Sequence, residues 1–339
     1  MKKGITFAVL FLCAALFAAD RRVITELDGT KVEIPSSPQR IACLYYPAYN
    51  KIIMLGGASR IVMMPNTASP WAKKFYPELK KIDTLTPGVM PDVEKLLKLK
   101  VDLVFYPKSV KPGKALQTDI AFVCAFNPGY VPATIDAHIL EMQKQVRFFA
   151  EVLGADAMSK ADKYCAYLKD ITSRVMAVTS KIKDSDKPRI YYGTAADIHA
   201  SQGGNTIMRW SVDLAGGVYL PKNFEMYFPK VTREQLIGYD PDIIMVGMRG
   251  FKKAEISGLS GLRAEKEKRV YFVPAGISYW DLTGCEMALL PLYLGKTFHP
   301  KLFAGWDIIE EMKKFYSEIY GIKITTNDAE RILNSLPPE

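Results

Sequence analysis

Strand-like and helix-like segments alternate along most of this chain, and this alternation restricts the folds that it can adopt. Short apolar runs at 40–45 and 102–106 have the composition of buried strands, and helix-like runs lie between them. Runs of the same kind resume in the second half of the chain, at 189–193 and 242–247. Alternation of this type predicts mostly parallel sheets that are covered by helices.

One long segment, 133–183, interrupts the alternation and separates two halves of the chain. It contains no proline and only one glycine, Gly154, and its apolar residues recur at helical spacing. The segment therefore predicts one long helix, or two abutting helices that are joined at Gly154. We expect an N-terminal α/β lobe at 20–132, a helical connection at 133–183 and a C-terminal α/β lobe at 184–339.

The first 19 residues have the composition of an export signal. Two lysines give a basic start, and the apolar run at 5–19 is shorter than the roughly 20 residues of a membrane-spanning helix. The small residues Ala18 and Ala19 suit cleavage by a signal peptidase. Lipidation at Cys13 and an uncleaved anchor are the alternatives. We expect the remainder of the chain to be a periplasmic protein.

The charge of the chain argues against nucleic-acid binding. The formal net charge is +9, and cleavage of the signal with its two lysines lowers it to +7. The basic residues are interleaved with acidic ones, so no basic stripe is formed. An excess of positive charge fits an anionic ligand or a membrane surface.

Four cysteines remain after removal of the signal, and their spacing fits no zinc site. They are Cys43, Cys124, Cys165 and Cys285, and no two of them form a CxxC pair. Cys43 and Cys124 fall in apolar strand-like runs, where a thiol behaves as a small apolar side chain. Export permits disulfides, but the sequence does not decide whether these cysteines pair.

A weak internal repeat indicates that the two lobes are related. The segment 94–104 aligns with 234–244, and each reads as a short helix that leads into a buried strand. Glu94 then matches Glu234, and Asp102 matches Asp242. The same glutamate at the same offset in both halves makes a chance match less plausible.

The order of these elements resembles that of one family. The chain has a predicted hairpin around Asp28-Gly29, followed by the strand, the repeat units, the central helical segment and a closing helix. The segments that carry the resemblance are 23–34, 40–44, 92–105, 232–246, 294–303 and 306–320. In this order they are similar to periplasmic binding proteins for iron siderophores, haem and cobalamin, the TroA-like class III whose two lobes are joined by a rigid helix.

The resemblance implies a ligand cleft between two lobes and delivery of the ligand to an importer. The partners would be an inner-membrane ABC permease with its ATPase, and the protein would act as a monomer. In family members that resemble this chain, one surface glutamate on each lobe docks on arginines of the permease. Glu94 and Glu234 occupy the matching positions here, although glutamates in a first helical turn also suit the helix dipole.

No catalytic constellation is present in the sequence. The chain has only three histidines, and it contains no GxSxG, HExxH or P-loop motif. Neither His138 nor His299 is close in sequence to a serine or cysteine motif. We therefore expect a binding protein and not an enzyme.

The candidate ligand-binding residues follow predicted strands. In open α/β sheets, ligands bind beyond the carboxyl ends of the strands, and here those loops are rich in aromatic residues and arginine. Aromatic faces pack against flat chelates, and guanidinium groups pair with carboxylate or catecholate oxygens. The candidates are Tyr45, Tyr46, Trp71, Tyr106, Tyr130, His199, Arg209, Trp210, Arg249, Tyr279 and Trp280.

The ligand that this supply of side chains favours is a metal chelate, and among chelates a ferric siderophore. A bare metal ion would need three or four converging His, Cys, Asp or Glu side chains, and three scattered histidines offer this poorly. Haem, cobalamin, a nickel chelate and a role as metal chaperone remain alternatives. Haem would favour a Tyr or His axial ligand, such as Tyr46 or His199. We expect no intrinsic cofactor.

Overall fold

The structure is a computed structural model that describes residues 20–66, 68–107, 110, 120–124, 132, 134–248, 250–251 and 256–339. Two parallel sheets, one two-stranded antiparallel sheet and the helices around them make up the regular structure of these residues. None of the helices in the described ranges is long and apolar enough to cross a membrane. The first 19 residues, and with them the predicted signal, lie outside the described residues.

The N-terminal lobe is built on a parallel sheet, as the alternation predicts. Its elements are, in chain order, β1 (Arg21–Thr25), β2 (Lys31–Pro35), β3 (Ile41–Cys43), α1 (Tyr46–Met54), β4 (Ile61–Pro65), α2 (Pro70–Phe75), β5 (Asp83–Leu85), α3 (Val93–Lys98), β6 (Leu103–Tyr106) and β7 (Ala121–Cys124). Five of the strands form the parallel sheet in the order β5-β4-β3-β6-β7. The central strand β3 is buried on both faces, which explains its continuous apolar sequence.

The predicted hairpin is confirmed. β1 and β2 pair antiparallel, with Arg21 opposite Pro35 and Thr25 opposite Lys31. Gly29 lies in the connecting turn with a φ of 89°, a left-handed conformation that glycine adopts without strain.

The segment between the lobes is two helices and not one. They are α4 (Ile135–Leu153) and α5 (Ala155–Thr179), and Gly154 joins them with a φ of 105°. Arg147 lies 2.9 Å from Asp162, and the Gln143 side chain donates to the Cys165 carbonyl at 3.1 Å. These pairs show that the helices run antiparallel, so Gly154 reverses the chain. Of the two arrangements that the sequence left open, the structure has the second.

The C-terminal lobe repeats the α/β design. Its elements are β8 (Arg189–Thr194), α6 (Ile207–Leu214), β9 (Val218–Tyr219), α7 (Arg233–Tyr239), β10 (Ile243–Gly247), α8 (Arg263–Lys266), β11 (Val270–Phe272), α9 (Leu290–Phe298), α10 (Ile308–Phe315) and α11 (Thr326–Leu333). The four strands are parallel in the order β11-β10-β8-β9. The predicted fold class, two α/β lobes with mostly parallel sheets, is therefore confirmed.

The largest of three apolar core clusters among the described residues runs through both lobes and the helices between them. Several direct hydrogen bonds cross from one lobe to the other within it. The Trp71 indole donates to the Leu336 carbonyl at 2.8 Å, and the Ser69 hydroxyl donates to the Gly276 carbonyl at 2.5 Å. Lys74 and Asp328 form an ion pair at 2.8 Å across the same boundary. The lobes are thus tied together by direct contacts of the α2 region with the C-terminal lobe as well as through α4 and α5.

The internal repeat is also present in the three-dimensional structure. The Asp102 carboxylate accepts from the backbone N–H of Arg40 at 3.1 Å, and the Asp102 N–H donates to the Arg40 carbonyl at 3.0 Å. In the second lobe, the Asp242 carboxylate accepts from the N–H of Arg189 at 2.7 Å, and the Asp242 N–H donates to the Arg189 carbonyl at 2.8 Å. Each aspartate thus fixes the start of the first strand of its sheet in the same way.

The four described cysteines are buried, and Cys43, Cys165 and Cys285 are free thiols. Burial raises the pKa of the Cys285 thiol to about 12, so it stays protonated at neutral pH. Cys43, Cys165 and Cys285 therefore act as small apolar side chains in this structure.

Candidate functional site

Aromatic side chains from the two lobes meet where the sheets face each other. Tyr46 begins α1, directly after β3, and Tyr279 lies in the loop after β11. Their ring centroids are 5.4 Å apart, and the Tyr279 backbone N–H donates to the Tyr46 hydroxyl at 3.2 Å. Phe251 packs on Tyr279 at 5.3 Å and Tyr49 packs on Tyr46 at 5.2 Å. We call these four residues the interlobe aromatic cluster.

The phenols of this region are held in their neutral form. Burial raises the pKa of Tyr46 and of Tyr45 well above the ordinary value, and it raises the pKa of Tyr279 to about 12. A neutral phenol donates one hydrogen bond to a ligand oxygen, whereas binding to a hard metal ion requires loss of its proton. At neutral pH these tyrosines are thus ready-made donors for an anion.

A buried carboxylate lies beneath the cluster. Asp281 is fully buried, and its Oδ2 accepts from the Tyr192 hydroxyl at 2.7 Å and from the Met248 backbone N–H at 3.2 Å. Burial raises the pKa of Asp281 to about 6, although these hydrogen bonds oppose the rise. Its other oxygen, Oδ1, has no partner among the described residues. Asp281 therefore links the end of β10 to the loop that carries Tyr279.

The end of β10 can approach this carboxylate only because it is glycine. A Cβ on Gly247 would lie 1.9 Å from Asp281 Oδ2 and 2.4 Å from the Tyr192 hydroxyl. The loop that follows turns sharply, with positive φ at Met248, Gly250 and Phe251. Such left-handed residues are uncommon outside glycine and cluster at functional sites.

A second buried carboxylate fixes the loop that carries Tyr279. Glu286 accepts from the backbone N–H groups of Ile277 at 3.1 Å and Ser278 at 2.5 Å, and the Tyr316 hydroxyl also donates to it. Burial raises the pKa of Glu286 to about 8. Glu286 thus presets the backbone next to Tyr279 without touching the cleft.

The tryptophans among the sequence candidates lie in the core. Trp71 and Trp280 have no exposed surface, and Trp210 is stacked on His138 with ring centroids 5.6 Å apart. Their side chains support the cleft from behind and offer no open face to a ligand in this structure. The sequence could not separate these roles, because an aromatic residue after a strand packs inward as readily as it faces a cleft.

Three further candidates do not join the aromatic cluster. Arg209 is occupied by Asp213 at 3.0 Å, by the Gly204 carbonyl and by the face of Trp210. The His199 ring lies 3.5 Å from the Cβ position of Gly258, on the side of Glu234. Tyr106 packs edge-on against Phe122 with centroids 6.4 Å apart.

The remaining candidates lie outside the described residues or on the surface. Tyr130 and Arg249 belong to the part of the chain that is not described. Glu94 and Glu234 are exposed in the first turns of α3 and α7. Within the described ranges, no group of three or more His, Cys, Asp or Glu side chains could hold a metal ion.

The sequence did not single out Asp281, Glu286 or Phe251 as site residues. Two of them could have been predicted from their position in the sequence, because Phe251 follows β10 and Asp281 follows β11. Cavities of about 510 and 620 Å³ occur beside α5 and the π-helical turn Tyr316–Tyr320. Their lining includes none of the aromatic-cluster residues, so we do not assign the ligand to them.

Two facing α/β lobes, with aromatic and polar groups where their strand ends meet, define a two-lobed solute-binding protein. The sequence profile of the periplasmic binding protein family matches residues 41–276. The chain belongs to this family. Its relatives are binding proteins of transport systems, so the chain is a binding protein and not an enzyme.

Individual relatives extend this picture. The molybdate-binding protein MolA of Haemophilus influenzae is 23% identical over 97% of this chain and 99% of its own length. Its molybdate-bound structure has a TM-score of 0.78 at 18% identity and covers 90% of this chain and 99% of that one. A periplasmic solute-binding protein of Veillonella parvula has a TM-score of 0.76 at 24% identity, with 93% and 97% covered. The Ni(II)-bound Ceue of Helicobacter pylori has a TM-score of 0.72 at 19% identity, with 92% and 99% covered.

Proposed function

We propose that this protein captures a metal-containing anion between its lobes and delivers it to an ABC permease. The observation that carries the proposal is the interlobe aromatic cluster, in which Tyr46 from one lobe and Tyr279 from the other present neutral phenols side by side. A ligand that accepts hydrogen bonds from both phenols would hold the lobes together. A net positive charge favours the approach of anions.

A compact oxyanion of the molybdate class is the ligand that we favour within this group. Tyr46 and the Tyr279 backbone already touch at 3.2 Å, so this part of the cleft admits a small ligand more easily than a bulky one. The relative MolA, which spans almost the whole chain, is a molybdate-binding protein. Several phenol and backbone donors around four oxygens satisfy an oxyanion without any direct protein ligand to the metal.

A ferric siderophore is the second candidate, and the aromatic surfaces of the cluster favour it. Flat catecholate or hydroxamate groups stack on rings such as those of Tyr279 and Phe251, which pack at 5.3 Å. Haem has less support, because an axial tyrosine ligand must lose its proton, and burial raises the pKa of Tyr46 well above its ordinary value.

A titration of the purified protein against a ligand panel tests this proposal. The panel contains molybdate, tungstate, sulfate, a ferric catecholate, a ferric hydroxamate, haemin, cobalamin and a nickel–histidine complex, and calorimetry reports binding. We expect saturable binding of molybdate and tungstate with Kd in the micromolar range or below, and no binding of sulfate. Saturable binding of a ferric chelate alone would select the second candidate. Binding of haemin or cobalamin alone would contradict both.

Paired tyrosine variants connect the titration to the site. Tyr46→Phe and Tyr279→Phe each remove one hydroxyl donor while they keep the ring, and each should weaken binding about ten- to a hundredfold. Tyr271→Phe in β11 removes a hydroxyl outside the cluster and serves as the matched control. Equal affinities for all three variants and the wild type would place the ligand elsewhere.

We also propose that Glu94 and Glu234 dock on basic residues of the permease. Both are exposed, each lies in the first turn of its helix, and the Asp102 and Asp242 contacts place them in equivalent positions of the two lobes. Reversal of both charges should abolish stimulation of the permease ATPase and leave ligand affinity unchanged. Loss of ligand affinity would instead make them part of the ligand site.

Export through the first 19 residues completes the proposal. The family of this chain acts in the periplasm, and cleavage near Ala18 and Ala19 would release the protein there. N-terminal sequencing of the protein from a periplasmic extract tests this. A chain that starts at Met1 in the membrane fraction would favour an uncleaved anchor, and lipidated Cys13 would favour a lipoprotein.

A further inference from the structure

We propose that Leu97 and Ile237 are the apolar half of a docking surface that each lobe presents to the permease. The inference rests on the proposed function and adds to it, because it gives each docking glutamate an adjoining apolar contact. Leu97 follows Glu94 by three residues on α3, and Ile237 follows Glu234 by three residues on α7. Residues three apart lie on the same face of a helix, about 5–6 Å apart at Cβ.

The two pairs occupy equivalent positions in equivalent structures. Both helices begin one residue before the glutamate, after Asp92 and Thr232, whose side chains cap the third residue of the helix in each case. The helix α3 leads into β6 and the helix α7 leads into β10, and the aspartates that precede these strands, Asp102 and Asp242, make matching hydrogen bonds. The correspondence therefore extends from the cap to the strand.

Leu97 and Ile237 do not contribute to the cores of their lobes. Leu97 is 53% exposed and Ile237 is 54% exposed. The preceding residues, Leu96 and Leu236, are 0% and 1% exposed and anchor the two helices to their sheets. The buried leucine thus packs each helix against its lobe, and the apolar side chain that follows it, Leu97 or Ile237, remains exposed to a partner.

The charges of the two surfaces match as well. Glu94 and Glu234 are exposed, and neither forms an ion pair with any described residue. The Glu234 carboxylate accepts from the Thr232 side chain and from its own backbone N–H, which leaves further lone pairs on its oxygens for an external cation. The pair Glu94 and Leu97 and the pair Glu234 and Ile237 therefore present the same two features, an acid and an apolar side chain one turn apart.

This duplication indicates what kind of partner fits. A partner with two equivalent sites, each with a basic group beside an apolar pocket, would engage both lobes at once. Two related permease subunits around a two-fold axis have this property. A second copy of this chain does not fit, since like surfaces would bring glutamate against glutamate, and juxtaposed like charges repel each other.

Site-specific photo-cross-linking tests the partner. A benzophenone amino acid is placed at position 97, 237 or, as the control, 302, where the wild-type Leu302 is 53% exposed but lies beside no docking glutamate. The full-length protein is expressed in its own bacterium, irradiated, and the products are identified by mass spectrometry. We expect positions 97 and 237 to cross-link to the same polytopic membrane protein, and position 302 not to. Cross-links to two unrelated proteins, or equal cross-linking from 302, would overturn the proposal.

Serine variants then measure the contribution. Docking of Leu97→Ser and Ile237→Ser to that permease in nanodiscs should each weaken about tenfold, and the double variant about a hundredfold, with Leu302→Ser unchanged. Full docking affinity in the double variant overturns this inference. If charge reversal at Glu94 and Glu234 still abolishes docking in that case, the proposed function stands. If charge reversal has no effect either, the docking part of the proposed function fails, while the ligand titration is unaffected.

Discussion

Replacement of Asp281 by asparagine should change how the stability of this protein depends on pH. The wild-type carboxylate is fully buried, accepts two hydrogen bonds at its Oδ2 and has no described partner at Oδ1. The amide of Asp281→Asn keeps the acceptor for Tyr192 and Met248 and removes the titration. Comparison of the two proteins therefore isolates the cost of ionising this one group.

The sign and size follow from the pKa. The pKa of Asp281 is raised from 3.8 to about 6 in the folded protein, so the folded state binds the proton more tightly than the unfolded state. Its contribution to stability is fully present below the unfolded pKa and is lost as the pH rises through 6. A difference of about two pKa units corresponds to about 3 kcal/mol. The phenols of Tyr192 and Tyr279 do not titrate in this range, because their own pKa values are raised.

Urea unfolding of the wild type and of Asp281→Asn between pH 4 and pH 7.5 measures this effect. The free energy of unfolding of the variant, relative to the wild type, should rise by about 2 kcal/mol across that range. This is less than the full value of about 3 kcal/mol, because pH 4 lies just above the unfolded pKa of 3.8, so the unfolded carboxyl is already partly ionised there. Asp186→Asn, at an exposed carboxylate that forms no ion pair with a described residue, is the control for the general effect of losing a charge. A difference between Asp281→Asn and the wild type that is independent of pH would refute the reasoning.

Three further substitutions test single features of the fold. Gly247→Ala should lower the free energy of unfolding by about 2–3 kcal/mol in urea denaturation and weaken ligand binding, because its Cβ would lie 1.9 Å from Asp281 Oδ2. Wild-type stability and affinity in this variant would contradict the close approach. Gly154→Ala should lower the free energy of unfolding by about 2 kcal/mol in the same assay. Backbone strain alone is the cause, because φ is 105° and no atom lies within 4 Å of the Cβ position. An unchanged stability would argue against the tight reversal. Thr232→Ala removes the capping box of α7 and should cost about 1 kcal/mol, whereas Thr232→Ser should recover most of it.

The residues of the cleft show how much of a binding site can be predicted from the sequence. The loops that follow the strands were predicted from the sequence, and Tyr46 and Tyr279 do meet there. Trp71 and Trp280 follow strands in the same way and are buried without exposed surface. Side chains that follow a strand point either into the cleft or back into the core, and packing against distant residues decides which.

Local patterns determined the architecture. Apolar strand-like runs that alternate with amphipathic helices predicted parallel sheets, because burial on both faces of a sheet requires continuous apolar strands. The matching segments around Glu94 and Glu234 predicted related lobes, and the equivalent contacts of Asp102 and Asp242 agree with this. Asp28-Gly29 predicted the hairpin, because its turn needs a residue with positive φ.

Only the tertiary structure decided the features that depend on residues far apart in the chain. Gly154 was compatible with a straight joint or a reversal, and contacts such as Arg147 with Asp162 settled the antiparallel pair. The burial of Asp281 comes from the approach of Gly247 and Tyr192, which are 34 and 89 residues away along the chain. Secondary structure follows from local periodicity, but burial, and with it the pKa of a carboxylate or the open face of a ring, is set by long-range packing that no local pattern encodes.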